Sequence, residues 1–170
     1  MNLVETILKE HSKANCDRIV SYVGSDENRF LSLLNVFFNG AYRVAQRASW
    51  PISKCVKAYP HLLNPHYKRI LNELERTDQH PAVRRNLVRL LQFVNIPIHH
   101  QGRTILLCET IMHTPFEPIA IKVFAMSVLG RMANEHPELR QELCIFIEDQ
   151  MPFGSVGFVS RAKKVLRQLK

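Results

Sequence analysis

The stretch Pro81-Ala-Val-Arg-Arg-Asn-Leu-Val-Arg-Leu-Leu-Gln-Phe-Val94 decides how this chain folds. Its apolar residues Val83, Leu87, Leu90, Leu91 and Val94 fall at i, i+4, i+7, i+8 and i+11. At about 100° per residue these five share one helical face. The same five-position stripe recurs upstream as Val44, Ala48, Pro51, Ile52 and Cys55. Downstream it returns as Ile121, Ala125, Val128, Leu129 and Met132, and again as Phe158, Ala162, Val165, Leu166 and Leu169. The start positions 44, 83, 121 and 158 lie 39, 38 and 37 residues apart. One amphipathic helix per period, with room for a second before it, predicts an α-solenoid.

The rest of the chain is consistent with that reading. Hydrophobic residues make up 46% and charged residues 22% of the 170 positions, ordinary values for a globular protein. Nine prolines and six glycines fall mostly between helical patterns, and no stretch alternates apolar and polar residues long enough to form a sheet. The expected class is all-α: an α–α superhelix of about five helical hairpins in a single domain, with units near 1–24, 25–59, 60–95, 96–134 and 135–170. The first unit looks like a polar cap, which an array of stacked repeats needs for solubility. Ser25-Asp-Glu-Asn28 reads as a helix start, Gly24 and Gly40 as helix stops, and Pro51 as a kink near Trp50. Asn64-Pro65 is expected to open the third unit, and Ile96 to Gly102 to be a loop. First helices are expected to carry Ile105, Leu106, Leu107, Ile111 and Met112 in the fourth unit. In the fifth they carry Leu139, Leu143, Ile145, Phe146 and Ile147.

The Val-Arg-Arg-x-Leu-x-x-Leu-Leu core at 83–91 resembles the second helix of HEAT repeats. Val44-Ala-Gln-Arg-Ala-Ser-Trp-Pro-Ile-Ser53 is similar, with small and basic residues in the same slots. The resemblance extends from about residue 26 to the end of the chain and takes in armadillo repeats as well. It implies a superhelical array whose second helices line the concave face, and it implies binding more often than catalysis.

Charge is distributed unevenly. The second helices of units two to five hold fourteen of the 23 Lys and Arg residues, and this count places no Asp or Glu among them. The formal net charge of +8 is therefore concentrated on one set of helices. If those helices line a groove, its field recruits polyanions. The expected binding residues are Arg43, Arg47, Trp50 and Lys54 in unit two, Arg85 and Arg89 in unit three, Arg131 in unit four, and Arg161 and Lys164 in unit five. The expected partner is an acidic protein or a nucleic acid. Aromatics among the cations (Trp50, Phe93, Phe124) would stack on bases; alternatively they fill the seams between neighbouring hairpins.

Other classes are expected to be absent. The most apolar region, Ile105 to Leu129, is interrupted by Glu109, Pro115, Glu117, Pro118 and Lys122, so it cannot cross a bilayer as one helix. Acids inside the apolar run at the N-terminus argue against a signal peptide. Cys16, Cys55, Cys108 and Cys144 stand singly, which suits buried, reduced thiols in a cytoplasmic protein. His99-His100, His61 and His66 lack the spacing and the carboxylate or cysteine company of a metal site, so neither metal nor cofactor is expected. No nucleophile elbow, P-loop or dinucleotide fingerprint occurs. One enzyme class does use this scaffold: the HEAT-like alkylpurine DNA glycosylases, which hold DNA in a basic concavity and use an aspartate beside aromatic residues. The chain is similar in charge and in Trp50, and it lacks the acid on that face, so a non-catalytic DNA-binding module is the alternative expectation.

Overall fold

The structure, a computed structural model, describes residues 1–76 and 78–170. Among these residues ten α-helices and no strands occur. They are α1 (Leu3–Lys9), α2 (Lys13–Val23), α3 (Glu27–Asn39), α4 (Tyr42–Ala58), α5 (Tyr67–Glu75), α6 (Pro81–Leu91), α7 (Ile98–His113), α8 (Ile119–Glu135), α9 (Leu139–Gln150) and α10 (Val156–Leu169). Each odd-numbered helix packs against the even-numbered helix that follows it. The even helices also pack in succession, α2 on α4, α4 on α6, α6 on α8 and α8 on α10.

Local chemistry sets the helix ends. The Asp26 carboxylate accepts a hydrogen bond from the Arg29 N–H at 2.9 Å, and the Ser12 hydroxyl accepts one from Asn15 at 3.1 Å. Each satisfies a donor that the first turn of a helix leaves free. Gly24 stops α2 at φ 52°, a conformation that costs glycine little and other residues more. Pro81 takes the first position of α6, where its missing N–H would have no partner in any case. α4 continues through Pro51, whose lack of an N–H leaves the Arg47 carbonyl without its usual donor.

Three expectations are corrected at this level. Ile96 to Gly102 is not a loop throughout, because α7 begins at Ile98 and includes His99, His100 and Gly102. Pro97 stands just before the helix and supplies a preset φ, which the sequence reading took for a loop signal. Asn64-Pro65 lies inside a 3₁₀ turn, Pro60–His66, and α5 starts only at Tyr67. α6 ends at Leu91, so Val94 reaches the core from the connection beyond it rather than from the helix.

All twenty positions of the repeated stripe are buried, from Val44 through Leu169. Val44, Val83, Ile121 and Phe158, which open the four stripes, are each at most 8% exposed. Small residues let the even helices approach closely. At Gly130 on α8, an added methyl group would lie 2.6 Å from Cγ1 of Val165 on α10. The outer helices are less complete. Leu106 on α7 and Ile145 on α9 belong to apolar patterns, yet they are 64% and 53% exposed.

Leu90→Ala should cost about 2–5 kcal/mol as a truncation of a residue 1% exposed. Gly130→Ala should cost about 1–3 kcal/mol, since the stiff Val165 side chain must shift. Arg85→Ala, on an exposed side chain, should stay within about 0.5 kcal/mol. Denaturant unfolding of the three variants checks the ranking.

Candidate partner-binding face

The even helices wall two open grooves, one between α4 and α6 and one beyond the end of α6. The first, about 560 Å³, lies between α4 and α6. Arg43 and Arg47 come from successive turns of α4, and Arg85 and Arg89 from successive turns of α6. Spacing of four residues keeps each pair on one face. Gln46, Asn86 and Trp50 complete most of the wall, and no Asp or Glu lines it. Arg43 and Arg85 are exposed, and Arg89 is half-buried. Among the described residues none of these three pairs with a carboxylate.

Arg47 differs from its neighbours. Its guanidinium donates to the Leu8 carbonyl at 3.0 Å and the Ile7 carbonyl at 3.5 Å, at the end of α1. The buried Asn15 amide donates to the carbonyls of Thr6 and Glu10 at 2.6 and 3.0 Å. Together they satisfy carbonyls that the end of a helix leaves without intrahelical donors. Trp50 is half-buried; His11 packs against it at 5.4 Å between ring centroids, and the Lys54 ammonium lies 5.7 Å from its ring. Lys54 itself donates to Asp17 of α2, and that hydrogen bond raises its pKa above the usual lysine range. It sits at the margin of the groove with its charge balanced.

The second groove, about 420 Å³, is walled by α8, α10 and the end of α6. Arg131, Arg161 and Lys164 come together here with Gln92, Phe93 and Asn134. Arg131 is committed inward: it donates to the carbonyls of Gln92 at 2.9 Å and Leu91 at 2.8 Å, and to that of Val94. Burial lowers its pKa from the usual arginine value. Arg161 donates to the Ser127 hydroxyl at 2.6 Å and the Gln92 side-chain oxygen at 3.2 Å. Lys164 is exposed. The Lys57 ammonium lies 4.8 Å from the Phe93 ring centroid. Phe124 is half-buried against the core and lines neither groove.

The nine residues expected from sequence thus divide. Arg43, Arg47, Trp50, Arg85 and Arg89 share one groove, Arg131, Arg161 and Lys164 the other, and Lys54 is tied to Asp17. Glu135 corrects the charge count, because it is the last residue of α8 and therefore a carboxylate on a second helix. It accepts from the buried Gln101 amide at 2.8 Å and lines neither groove. Gln46 and Asn86 were legible from the i,i+3 spacing that puts them on the same helical faces as Arg43 and Arg89. His11 was not, since it arrives from the connection between α1 and α2.

Elsewhere the chemistry is quiet. Burial pushes the Cys55 and Cys108 thiols up to about 12, where they are protonated and poor nucleophiles. Among the described residues no three His, Cys, Asp or Glu side chains are placed to hold a metal ion, and no helix is long and apolar enough to cross a membrane.

The HEAT repeat domain family matches residues 3–169. The chain belongs to the HEAT repeat family. No curated protein and no solved structure matches it. As a HEAT repeat it is a helical-repeat scaffold, a family that is generally non-catalytic.

In this HEAT repeat, Arg131→Ala should lower stability by at least about 2 kcal/mol, because carbonyls at the end of α6 lose a charged donor. Arg131→Lys should recover only part of the loss, as an ammonium lacks the planar fork that reaches several acceptors. Thermal unfolding of both variants beside Arg85→Ala separates a structural arginine from one that faces solvent.

Proposed function

We propose that this HEAT repeat is a non-catalytic interaction scaffold whose even-helix face takes an acidic partner. Four arginines around one open groove with no lining carboxylate carry the reading. Guanidinium groups offer forked donors that match the two oxygens of a carboxylate or a phosphate. Arg43, Arg85 and Arg89 have no carboxylate partner within the described chain, so binding an anion costs them no existing ion pair. The second groove extends the positive surface through Arg161 and Lys164.

An acidic protein segment is the first reading. A nucleic acid is the second, favoured by Trp50 beside the arginines and by the resemblance to the HEAT-like DNA glycosylases. Base excision is not part of that second reading, because the groove offers no carboxylate to assist departure of a base.

Titration against duplex DNA, single-stranded DNA and an acidic peptide over a range of salt tests both readings. A nucleic-acid partner should give log affinity falling linearly with log salt, and each of Arg43→Ala, Arg85→Ala and Arg89→Ala should lower the slope by about one. An acidic protein partner should show a milder slope with losses concentrated at a few arginines. No binding of any of the three at low salt would overturn the proposal.

A further inference from the structure

The odd helices form seams of their own, and an arginine crosses two of them. Between α3 and α5, Arg69 donates to Asn35 at 2.7 Å and lies over the Phe38 ring at 4.3 Å. Between α5 and α7, Arg103 donates to Glu75 at 2.6 and 2.7 Å and to Asn72 at 2.8 Å. The seam between α7 and α9 is built differently. Arg140 of α9 turns away and donates to the Ala133 carbonyl at the end of α8. In its place Glu142 of α9 lines the same pocket as Glu109 of α7. Among the described residues no cation pairs with either carboxylate.

That seam is also open. α7 and α9 both rest on α8, and Leu129 of α8 forms the floor between them. A small pocket of about 30 Å³ sits on this floor, walled by Met112, Leu143 and Phe146. Above it a groove of about 500 Å³ opens to solvent past Leu106, Glu109 and Glu142. Leu106 of α7, 64% exposed, lines this groove together with His113 and Pro115. Burial and the nearby Glu142 charge hold the Glu109 carboxyl above the usual carboxylate range, while His113 opposes that shift.

We propose that the α7/α9 seam is a second docking site, which takes a basic amphipathic helix of a partner protein. Its arginine or lysine enters between Glu109 and Glu142, and its apolar residues cover Leu106 and Phe146. The charge selects this occupant: two carboxylates in no ion pair among the described residues, with His113 as their one basic neighbour in the lining, repel nucleic acid and acidic protein alike. The apolar walls select a helix with an apolar face over a free amine. A second copy of this chain suits the seam less well, since the basic helices α4, α6 and α10 already bury their apolar stripes. The site stands independently of the even-helix face, and the two together would let one scaffold bridge partners of opposite charge.

The test uses the full chain and a labelled synthetic helical peptide with Leu and Arg at i, i+3, i+4 and i+7. Fluorescence anisotropy should show saturable binding, and a scrambled peptide of the same composition should bind at least about tenfold more weakly. Glu109→Gln and Glu142→Gln should each weaken binding about tenfold, with a larger loss in the double variant. Leu106→Asn should weaken it without any change of charge. The Gln variants should keep or raise the melting temperature, because each removes a like-charge contact, so loss of binding cannot be ascribed to unfolding. Equal affinity of the wild type and the double variant, or of ordered and scrambled peptides, would overturn the proposal. A dimer in sedimentation that the double variant abolishes would overturn it too, by giving the seam to a second copy.

Discussion

No hairpin in this chain can bury its own stripe, and the rest of the structure follows from that constraint. A helix pair has one apolar face too many, so each even helix must lie against the next. The twenty stripe positions are all buried because α4, α6, α8 and α10 stack in register. Close stacking requires small side chains at the crossing points. Ala48, Ala125 and Ala162, one in each of three stripes, are fully buried, and Gly130 admits Val165 where α8 meets α10. Once those faces are fixed, the polar residues of the even helices can stand only on the flanks and the outer side. The basic character of the outer side is then a matter of which residues occupy positions that packing leaves free.

Stacking creates a second demand that arginine meets. Every helix ends with carbonyls that lack intrahelical donors, and in a stacked array many of these ends are partly covered. Arg29 reaches the Tyr22 carbonyl at the end of α2, and Arg47 those of Ile7 and Leu8 at the end of α1. Arg84 reaches Leu74 at the end of α5, Arg131 the end of α6, and Arg140 the end of α8. A planar cation at a helix C-terminus both satisfies the carbonyls and complements the helix dipole. A carbonyl does not cancel the positive charge, however. All five hold the array together. Arg29 and Arg84 are also balanced by Asp26 and Glu117. Arg47, Arg131 and Arg140, which pair with no carboxylate among the described residues, still contribute to its field.

The fold was legible because its signal is local. Periodicity within each helix identifies the buried face, and proline and glycine mark most of the breaks. The boundaries that failed, at Pro97 and at Asn64-Pro65, are places where proline suits both a loop and a helix start. The roles of individual cations were not legible for the opposite reason. Arg47 and Leu8 are 39 residues apart, and Arg131 and Leu91 are 40 apart, close to one full repeat. A count of charges along the chain treats Arg131 and Arg85 alike, whereas stacking turns one inward and leaves the other in water. Asp17 was likewise invisible as the partner of Lys54, because it approaches from the preceding even helix.

The two grooves beside α6 show how the same composition yields different surfaces. Both contain arginines contributed by neighbouring even helices. In the α8/α10 groove Arg131 is held by carbonyls and Arg161 by Ser127 and Gln92, so both guanidiniums are anchored and Lys164 is the exposed cation of the three. In the α4/α6 groove only Arg47 is spent on carbonyls, leaving Arg43, Arg85 and Arg89 with donors directed at solvent. A spent guanidinium attracts an anion through its field; one with free donors also fixes the anion's orientation. The α4/α6 groove therefore offers cations with uncommitted donors, and the α8/α10 groove offers mainly charge.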